Sequence, residues 1–216
     1  MDHNTLKQRH RLRRDVEPEN LRLRIHRALS WLHRAEQADD LDGKFIFLWI
    51  AFNAAYATEI DDSHRLSEQE TFKAFLQKLC DLDLAAKRID ALVWNEFSGS
   101  IRTLLDNPYV FQSFWDSRNG KISEADWQAR FARGKQLAHA ALASGDTPLL
   151  LGVVFNRLYT LRNQLMHGGA TWNGTVNREQ LRDCARLMGK LVPLVIELMM
   201  EHPGTLWGDA CYPVVD

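Results

Sequence analysis

Three polar side chains near the end of an apolar segment are the residues of this sequence best suited to chemistry. Arg162, Asn163 and His167 fall within TPLLLGVVFNRLYTLRNQLMHGG, residues 147–169. An imidazole, whose ordinary pKa is about 6.5, can accept or donate a proton near neutral pH. A guanidinium is a permanent cation whose planar fork can bind two phosphate oxygens and stabilise charge that builds during a reaction. These residue types therefore suit acid–base chemistry at an anionic group, with Asn163 orienting His167 or binding the anion.

The segment that carries these residues has the pattern of one buried helix. Thr147 is a good N-cap, and Pro148 suits the first helical position because its missing N–H would be unpaired there. Gly168 and Gly169 end the pattern, since glycine readily adopts the left-handed conformation of a helix C-cap. Apolar residues recur every three or four positions and predict a stripe that faces a core, namely Leu151, Val154, Phe155, Leu158, Leu161 and Leu165.

Helical geometry leaves two interpretations of the polar residues open. At about 100° per residue, Arg162 and His167 lie about 140° apart around the helix. They converge only if the last turn unwinds at the glycines or if a second subunit closes the cleft. In the other interpretation the two are ordinary end charges, because cations near a helix C-terminus complement its dipole.

The motif and its setting resemble a known family. The hexapeptide RNQLMH, residues 162–167, is similar to the Arg-x(4–6)-His signature of HEPN domains, the higher eukaryote and prokaryote nucleotide-binding family. In that family the arginine is commonly followed by Asn or another polar residue, and the motif precedes a last long helix, as here. The segment KFIFLWIAFNAAY, residues 44–56, resembles the aromatic second-region helix of some HEPN families. The likeness covers about residues 20–202, and of three Arg-x(4–6)-His spacings in the chain only this one meets a glycine pair.

The resemblance implies an all-α, HEPN-like helical bundle with extra helices and metal-independent RNA cleavage. The ribose 2′-hydroxyl would attack the adjacent phosphate, with His167 moving the proton and Arg162 stabilising the phosphate charge. HEPN nucleases generally act as homodimers with two such helices facing across a cleft, which would bring the arginine and the histidine together. The resemblance implies no cofactor and no metal. In a toxin or defence effector it adds a neutralising antitoxin protein as a candidate partner.

The composition is that of an ordinary globular protein of the cytoplasm. The 216 residues are 45% hydrophobic and 25% charged with a net charge of −1, so RNA contact needs a local basic patch. The three cysteines are widely spaced without CxxC pairs, which disfavours a disulfide framework or a zinc site and fits a reducing cytosol. No signal-peptide pattern is present, and the longest apolar runs are far shorter than the roughly 20 residues that span a bilayer.

The order of the patterns predicts one large helical domain between two irregular ends. Residues 1–19 are a polar, basic stretch that we expect to be a flexible arm, either solvated or binding phosphate. Helical periodicity fills residues 20–202 and strand patterns are nearly absent, so the predicted fold class is all-α. Residues 203–216 have loop composition and are predicted to form a C-terminal tail.

Three further residues are candidate substrate-binding groups. Asn53 is an amide within the almost wholly apolar segment 41–60, where it needs hydrogen-bond partners. In a HEPN-like bundle this helix packs near the Arg/His helix, so Asn53 and Tyr56 would line the same cleft. Trp172 lies in the loop ATWNGTV, residues 170–176, directly after the motif. Ordinary structural pairing of Asn53 is the alternative explanation.

Three readings of the function follow. The first is a metal-independent HEPN-type endoribonuclease, and the second is a non-catalytic HEPN-like module that binds RNA, nucleotide or a partner protein. The third is a helical interaction protein whose arginine and histidine only complete a helix end. The first is favoured because no carboxylate cluster for two metals, no glycine-rich phosphate loop and no Ser or Cys nucleophile beside a base competes with it.

Overall fold

The computed structural model describes residues 1–57, 68–210 and 212. Within those ranges the regular structure is helical and includes no β-strand, so the predicted all-α fold class is confirmed. The described chain divides into two compact units, one of Met1–Arg88 with Ala185–Asp216 and one of Ile89–Cys184. The predicted single domain over residues 20–202 includes parts of both units. In the described part of the chain, no helix is both long enough and apolar enough to cross a bilayer.

The first unit contains four complete helices and most of a fifth. They are α1 (His3–Arg13), α2 (Glu19–Glu36), α3 (Leu41–Tyr56), α4 (Glu68–Leu82) and the part of α10 (Arg178–Glu201) that begins at Ala185. The apolar segment 41–60 of the sequence extends beyond Ala57, and its last three residues lie outside the described residues.

The N-terminal stretch is helical where the sequence predicted a flexible arm over residues 1–19. Asp2 caps α1 by accepting a 2.9 Å hydrogen bond from the backbone N–H of Thr5. The buried face of α1 consists of His3, Leu6 and His10, at the three- and four-residue spacing of one helix face. A face made of one leucine and two histidines has little apolar signal, which explains why periodicity did not show it.

Two arginines that look like surface residues in the sequence instead hold the first unit together. Arg24 of α2 is 1% exposed, and its guanidinium donates to the backbone carbonyls of Ala55 at 2.9 Å and Asp209 at 2.6 Å. Arg88 donates to the buried carboxylate of Asp83 at 2.9 Å and to Glu201 at 2.6 Å. Because Asp209 lies in the predicted tail 203–216, the described part of that tail is anchored to the helices.

The second unit carries the remaining helices. These are α5 (Arg88–Asp90), which begins at the last residue of the first unit, a π-helical turn at Ala91–Glu96, α6 (Ser98–Asp106), a 3-10 turn at Pro108–Val110, α7 (Gln112–Arg118), α8 (Glu124–Ser144), α9 (Thr147–Met166) and the first turns of α10. Helix α8 has well-defined ends, since Ser123 and Asp126 form a capping box at its start and Gly145 is left-handed at φ +68° after its last residue.

The N-cap residue of α9 lies one position before the predicted one. Asp146, and not Thr147, is the N-cap, and its carboxylate accepts a 2.9 Å hydrogen bond from the backbone N–H of Leu149. Thr147 is buried, and its hydroxyl donates to Asp90 and accepts a 2.7 Å hydrogen bond from the indole of Trp94. The threonine prediction was wrong because a neighbouring aspartate is an equally good cap and the buried hydroxyl has two other partners.

Candidate functional site

The end of α9 is where the predicted catalytic residues lie. The helix runs to Met166, and His167 is the C-cap residue, whose backbone N–H donates to the carbonyl of Asn163 at 3.0 Å. Gly168 is left-handed at φ +70°, so the predicted glycine stop is confirmed. The chain then turns back, because the N–H of Ala170 donates to the carbonyl of Gln164 at 3.0 Å. The imidazole of His167 is therefore carried on the first residue that leaves the helix.

The guanidinium of Arg162 is held by an amide and an aromatic ring. Its Nη1 donates a 2.9 Å hydrogen bond to the side-chain oxygen of Asn163, and its Cζ lies 5.9 Å from the centre of the Tyr159 ring. Arg162 is half-buried, and in the described part of the chain it forms no ion pair with a carboxylate. Since nothing there neutralises the cation, it stays available to an anionic ligand.

The imidazole of His167 is exposed, and its side chain forms no hydrogen bond to the described residues. No hydrogen bond joins it to Arg162 or to the side chain of Asn163, whose oxygen is used by the arginine. Within one chain, therefore, the side chain of Asn163 does not orient His167 as expected. Its side chain instead orients Arg162.

The surface beside the site is unusually apolar for exposed residues. Trp172 is 73% exposed, and Met166, Tyr159 and Val176 are 51%, 47% and 79% exposed. The loop that follows the helix bends through two left-handed residues other than glycine, Asn173 and Asn177. The predicted binding residue Trp172 thus lies on an open loop in the second unit, as the sequence suggested. Its role in binding stays a prediction.

The other two predicted binding residues belong to the first unit. Asn53 is half-buried on α3. Tyr56 is half-buried at the end of α3 and packs edge-on against Phe72, with 5.0 Å between ring centres, and against Phe75 at 5.3 Å. These contacts account for the phenol ring as part of an aromatic cluster. The proposal that Asn53 and Tyr56 line a substrate cleft stays a prediction.

A third charged residue of α9, Arg157, is one that sequence reasoning missed. It is 2% exposed, and its Cζ lies 4.2 Å from the ring centre of Phe111 and 5.5 Å from that of Phe131. Its Nε has no hydrogen-bond partner in the described residues, and burial lowers the pKa of its guanidinium to about 10. The signal in the sequence was a cation directly before Leu158, inside the apolar stripe.

One group of side chains in the described residues has the spacing of a metal site, although the sequence predicted none. Ligand atoms of His3, His33 and Glu36 lie within 4.8 Å of one another in the first unit. The backbone N–H of His3 donates to Glu36 at 2.9 Å, and the His3 and His33 rings stack with 4.2 Å between centres. The pKa of the His3 imidazole is lowered first by burial and then by the nearby charges of His33 and Lys7. This local positive charge opposes the binding of a metal cation.

Comparisons of the chain with models of protein families, with curated proteins and with solved structures give no match. The likeness to HEPN domains therefore depends on the motif at the end of α9 and on its setting.

Proposed function

We propose that the protein is a metal-independent endoribonuclease of the HEPN type, with Arg162 and His167 as its catalytic residues. The observation that carries this proposal is the pairing of a cation and an imidazole at one helix end. Arg162 is half-buried, without a carboxylate partner in the described residues, and oriented by Asn163, while His167 is exposed one residue beyond the helix. An end charge that only complemented the helix dipole would not need this orienting amide.

The reaction requires one proton transfer at the ribose 2′-oxygen, one at the 5′-oxygen that leaves, and stabilisation of the charge on the phosphate. A neutral imidazole accepts the proton of the ribose 2′-hydroxyl as that oxygen forms a bond to phosphorus. The bond from phosphorus to the 5′-oxygen then breaks, and this oxygen takes a proton from a protonated imidazole. Throughout, the guanidinium fork binds the non-bridging oxygens, where negative charge builds. The products are a 2′,3′-cyclic phosphate and a free 5′-hydroxyl.

A homodimer is part of the proposal, because one chain does not join the two groups. On an ideal helix the two positions lie about 140° apart, and no hydrogen bond connects Arg162 and His167. A second copy of α9 facing the first would place one chain's imidazole opposite the other chain's guanidinium. The exposed side chains of Met166, Trp172 and Val176 supply apolar surface for such a contact. A toxin or defence role in the cytoplasm, with a neutralising antitoxin, stays a prediction from the resemblance.

The test is cleavage of single-stranded RNA by the purified protein in EDTA. We expect the wild type to cut, and His167→Ala and Arg162→Ala each to lose at least about 100-fold in rate, as for other catalytic groups. The matched control is His139→Ala, since His139 is also exposed and also follows an arginine, Arg133, at the motif spacing. Tight RNA binding without any cleavage would instead identify a binding module. Equal losses in His139→Ala and His167→Ala would contradict the assignment of the site.

A further inference from the structure

The first unit contains a groove between α1 and α2, and eight of its thirteen lining residues are basic. Its volume is about 680 Å³. Its charged and titratable lining residues are His3, Lys7, His10, Arg11, Arg14, Glu19, Arg22, His26 and His33. Four permanent cations and four imidazoles thus face a single carboxylate, in a protein whose net charge is only −1. A local excess of this kind is what the overall charge could not reveal.

The two helices present these groups as facing rows. Lys7 and Arg11 of α1 and its C-cap residue, Arg14, recur at intervals of four and three residues, so they share one face. Arg22, His26 and His33 share a face of α2 at intervals of four and seven. The helices are antiparallel, because His3 at the start of α1 stacks on His33 near the end of α2, with 4.2 Å between ring centres.

The antiparallel arrangement sorts the groove into two ends. The permanent cations Arg11, Arg14 and Arg22 lie towards the connection between the helices, and the stacked pair His3 and His33 lies at the other end. At about 1.5 Å rise per residue, the eleven steps from Arg22 to His33 span roughly 16 Å. A single phosphate is much shorter than this row, whereas a nucleic-acid strand carries one phosphate charge on every nucleotide along its length.

The cations of the groove lack the partners that neighbouring cations have. Arg9 of α1 donates to Glu197 at 3.0 Å, and Arg13 donates to the backbone carbonyl of Met200 at 3.0 Å. In contrast, Lys7, Arg11 and Arg22 form no ion pair within the described residues, and the fourth groove cation, Arg14, has only an exposed pair with its neighbour Asp15 at 3.6 Å. The basic run of α1 is therefore divided between a structural face, which is neutralised, and a groove face, which is not.

The groups of the groove also repel one another. The pKa of His10 is lowered by its burial and then by the nearby charges of His26, Arg14 and Arg22. The buried carboxylate of Glu17 lies 3.2 Å from the Nδ1 of His10 but is not part of the groove lining. An anion in the groove would relieve this repulsion and would meet flat imidazole rings, on which bases of single-stranded RNA can stack.

We propose that the groove between α1 and α2 binds the phosphodiester backbone of single-stranded RNA. The inference rests on the proposed ribonuclease function and gives its substrate a binding surface in the first unit, whereas α9 belongs to the second. The arginine end takes consecutive phosphates, and the exposed ring of His33, stacked on His3, takes a base. The row length selects a polymeric ligand over a single phosphate group.

The binding test uses the full-length His167→Ala protein, so that RNA is not cut, and a fluorescent single-stranded RNA of twelve nucleotides in anisotropy titrations. The groove variant is Arg11→Glu with Arg22→Glu. The matched control is Arg102→Glu with Arg133→Glu, two exposed arginines of the second unit with the same total charge change. We expect Kd to rise at least tenfold in the groove variant and less than twofold in the control. Equal weakening in the two variants would overturn the proposal.

The salt dependence and competitors identify the ligand class. Contact with about three phosphates predicts a slope near 2 in a plot of log Kd against log salt concentration, and a slope near zero for the groove variant. Stronger competition by inorganic pyrophosphate or by anionic phospholipid vesicles than by unlabelled RNA would overturn the RNA assignment. If the charge reversal impairs folding, judged by circular dichroism, Arg11→Gln with Arg22→Gln replaces it, with the same expected direction.

Cleavage kinetics separate this inference from the proposed function. In a protein with His167 intact, the groove variant should raise KM for the twelve-nucleotide RNA at least tenfold and leave kcat within about twofold. An unchanged KM together with normal cleavage would contradict RNA binding in the groove and leave the ribonuclease proposal intact. RNA binding that depends on the groove, with no cleavage by the wild type or any variant, would contradict the ribonuclease proposal and support RNA binding in the groove.

Discussion

The guanidinium of Arg162 donates a 2.9 Å hydrogen bond to the side-chain oxygen of Asn163, the next residue of α9. Adjacent residues of a helix point about 100° apart, so this contact bends the long arginine side chain around the helix instead of leaving it extended into solvent. A cation held in this way loses less conformational freedom when it binds an anion. In the proposed site Asn163 is therefore a positioning residue for Arg162.

Removing this hydrogen bond should slow catalysis without abolishing it. One hydrogen bond to a charged group contributes about 1.5 kcal/mol, so Asn163→Ala should lower kcat about tenfold while KM stays within about twofold. Asn163→Ser, which keeps a side-chain oxygen, should recover part of the rate. Single-turnover and steady-state cleavage assays measure both constants. A raised KM with unchanged kcat would place Asn163 in ground-state binding, contrary to its assigned role.

Mixing inactive subunits tests the composite site. If the arginine of one chain serves the histidine of the other, a heterodimer of Arg162→Ala and His167→Ala chains keeps one intact pair of groups. We expect the mixture, after subunit exchange, to recover up to about a quarter of the wild-type rate, since half of the dimers are mixed and each has one working site. Each variant alone supplies the baseline. No recovery, in a mixture shown by mass spectrometry to contain heterodimers, would contradict the shared site.

The buried arginine of α9 should be replaceable by an apolar residue. Burial lowers the pKa of Arg157 from the ordinary value of an arginine to about 10, which corresponds to a cost of about 3 kcal/mol. Desolvated contacts with Phe111 and Phe131 return about 2 kcal/mol. Arg157→Met fills similar space without the charge, so the free energy of unfolding should stay equal or rise by about 1 kcal/mol.

The control for this experiment is Arg157→Ala, which leaves a cavity and should cost about 2–3 kcal/mol. Urea unfolding monitored by circular dichroism gives both values. If Arg157→Met destabilises the protein as much as Arg157→Ala does, the guanidinium must have a stabilising interaction beyond its contacts with Phe111 and Phe131.

The ion network of the first unit should make stability depend on pH in the acid range. Arg88 donates to Glu201 at 2.6 Å, and this hydrogen bond is the main reason that the pKa of Glu201 is lowered. Because the folded-state pKa is depressed, this contribution is present above the ordinary value of about 4.5 and is lost as pH falls through the folded-state value. Arg88→Met also removes this cation from the buried carboxylate of Asp83, so it should lower the free energy of unfolding by about 3 kcal/mol at pH 7 and by less at pH 3.

The matched control for Arg88→Met is Lys135→Met. It removes a more exposed ion pair, in which the Nζ of Lys135 lies 2.6 Å from the carboxylate of Asp106. Exposed pairs contribute little, so this variant should change stability by less than about 0.5 kcal/mol at either pH. Denaturant unfolding at the two pH values measures the difference. Equal losses for Arg88→Met at pH 3 and pH 7 would show that the ionised form of Glu201 is not what Arg88 stabilises.

The sequence predicted the end of α9 well because its signals are local. Glycine at a helix end requires no tertiary partner, and Gly168 is left-handed as expected. The environments of Arg24 and Arg157 could not be predicted in this way, since backbone carbonyls of Ala55 and Asp209 and the rings of Phe111 and Phe131 come from distant segments. Periodicity reports which positions are apolar, and it is silent on where a long charged side chain finds its partners.

The first helix shows the same limit. Residues 1–19 were expected to be a flexible arm because one run of basic residues dominates their composition. Folding separates that run by helix face, so that Arg9 and Arg13 meet acceptors on α10 while Lys7 and Arg11 line the groove. The partners of Arg9 and Arg13 are nearly 190 positions away in the chain, a distance over which a single sequence carries no pairing signal.

The most direct test of the central claim is cleavage of an RNA that carries one 2′-deoxy nucleotide at a mapped cleavage site, in EDTA, beside the all-ribose RNA. We expect the wild type to cut the ribose substrate to a 2′,3′-cyclic phosphate and to leave the 2′-deoxy position intact, and His167→Ala to cut neither. Cleavage at the 2′-deoxy position, or cleavage by His167→Ala at the wild-type rate, would contradict the account.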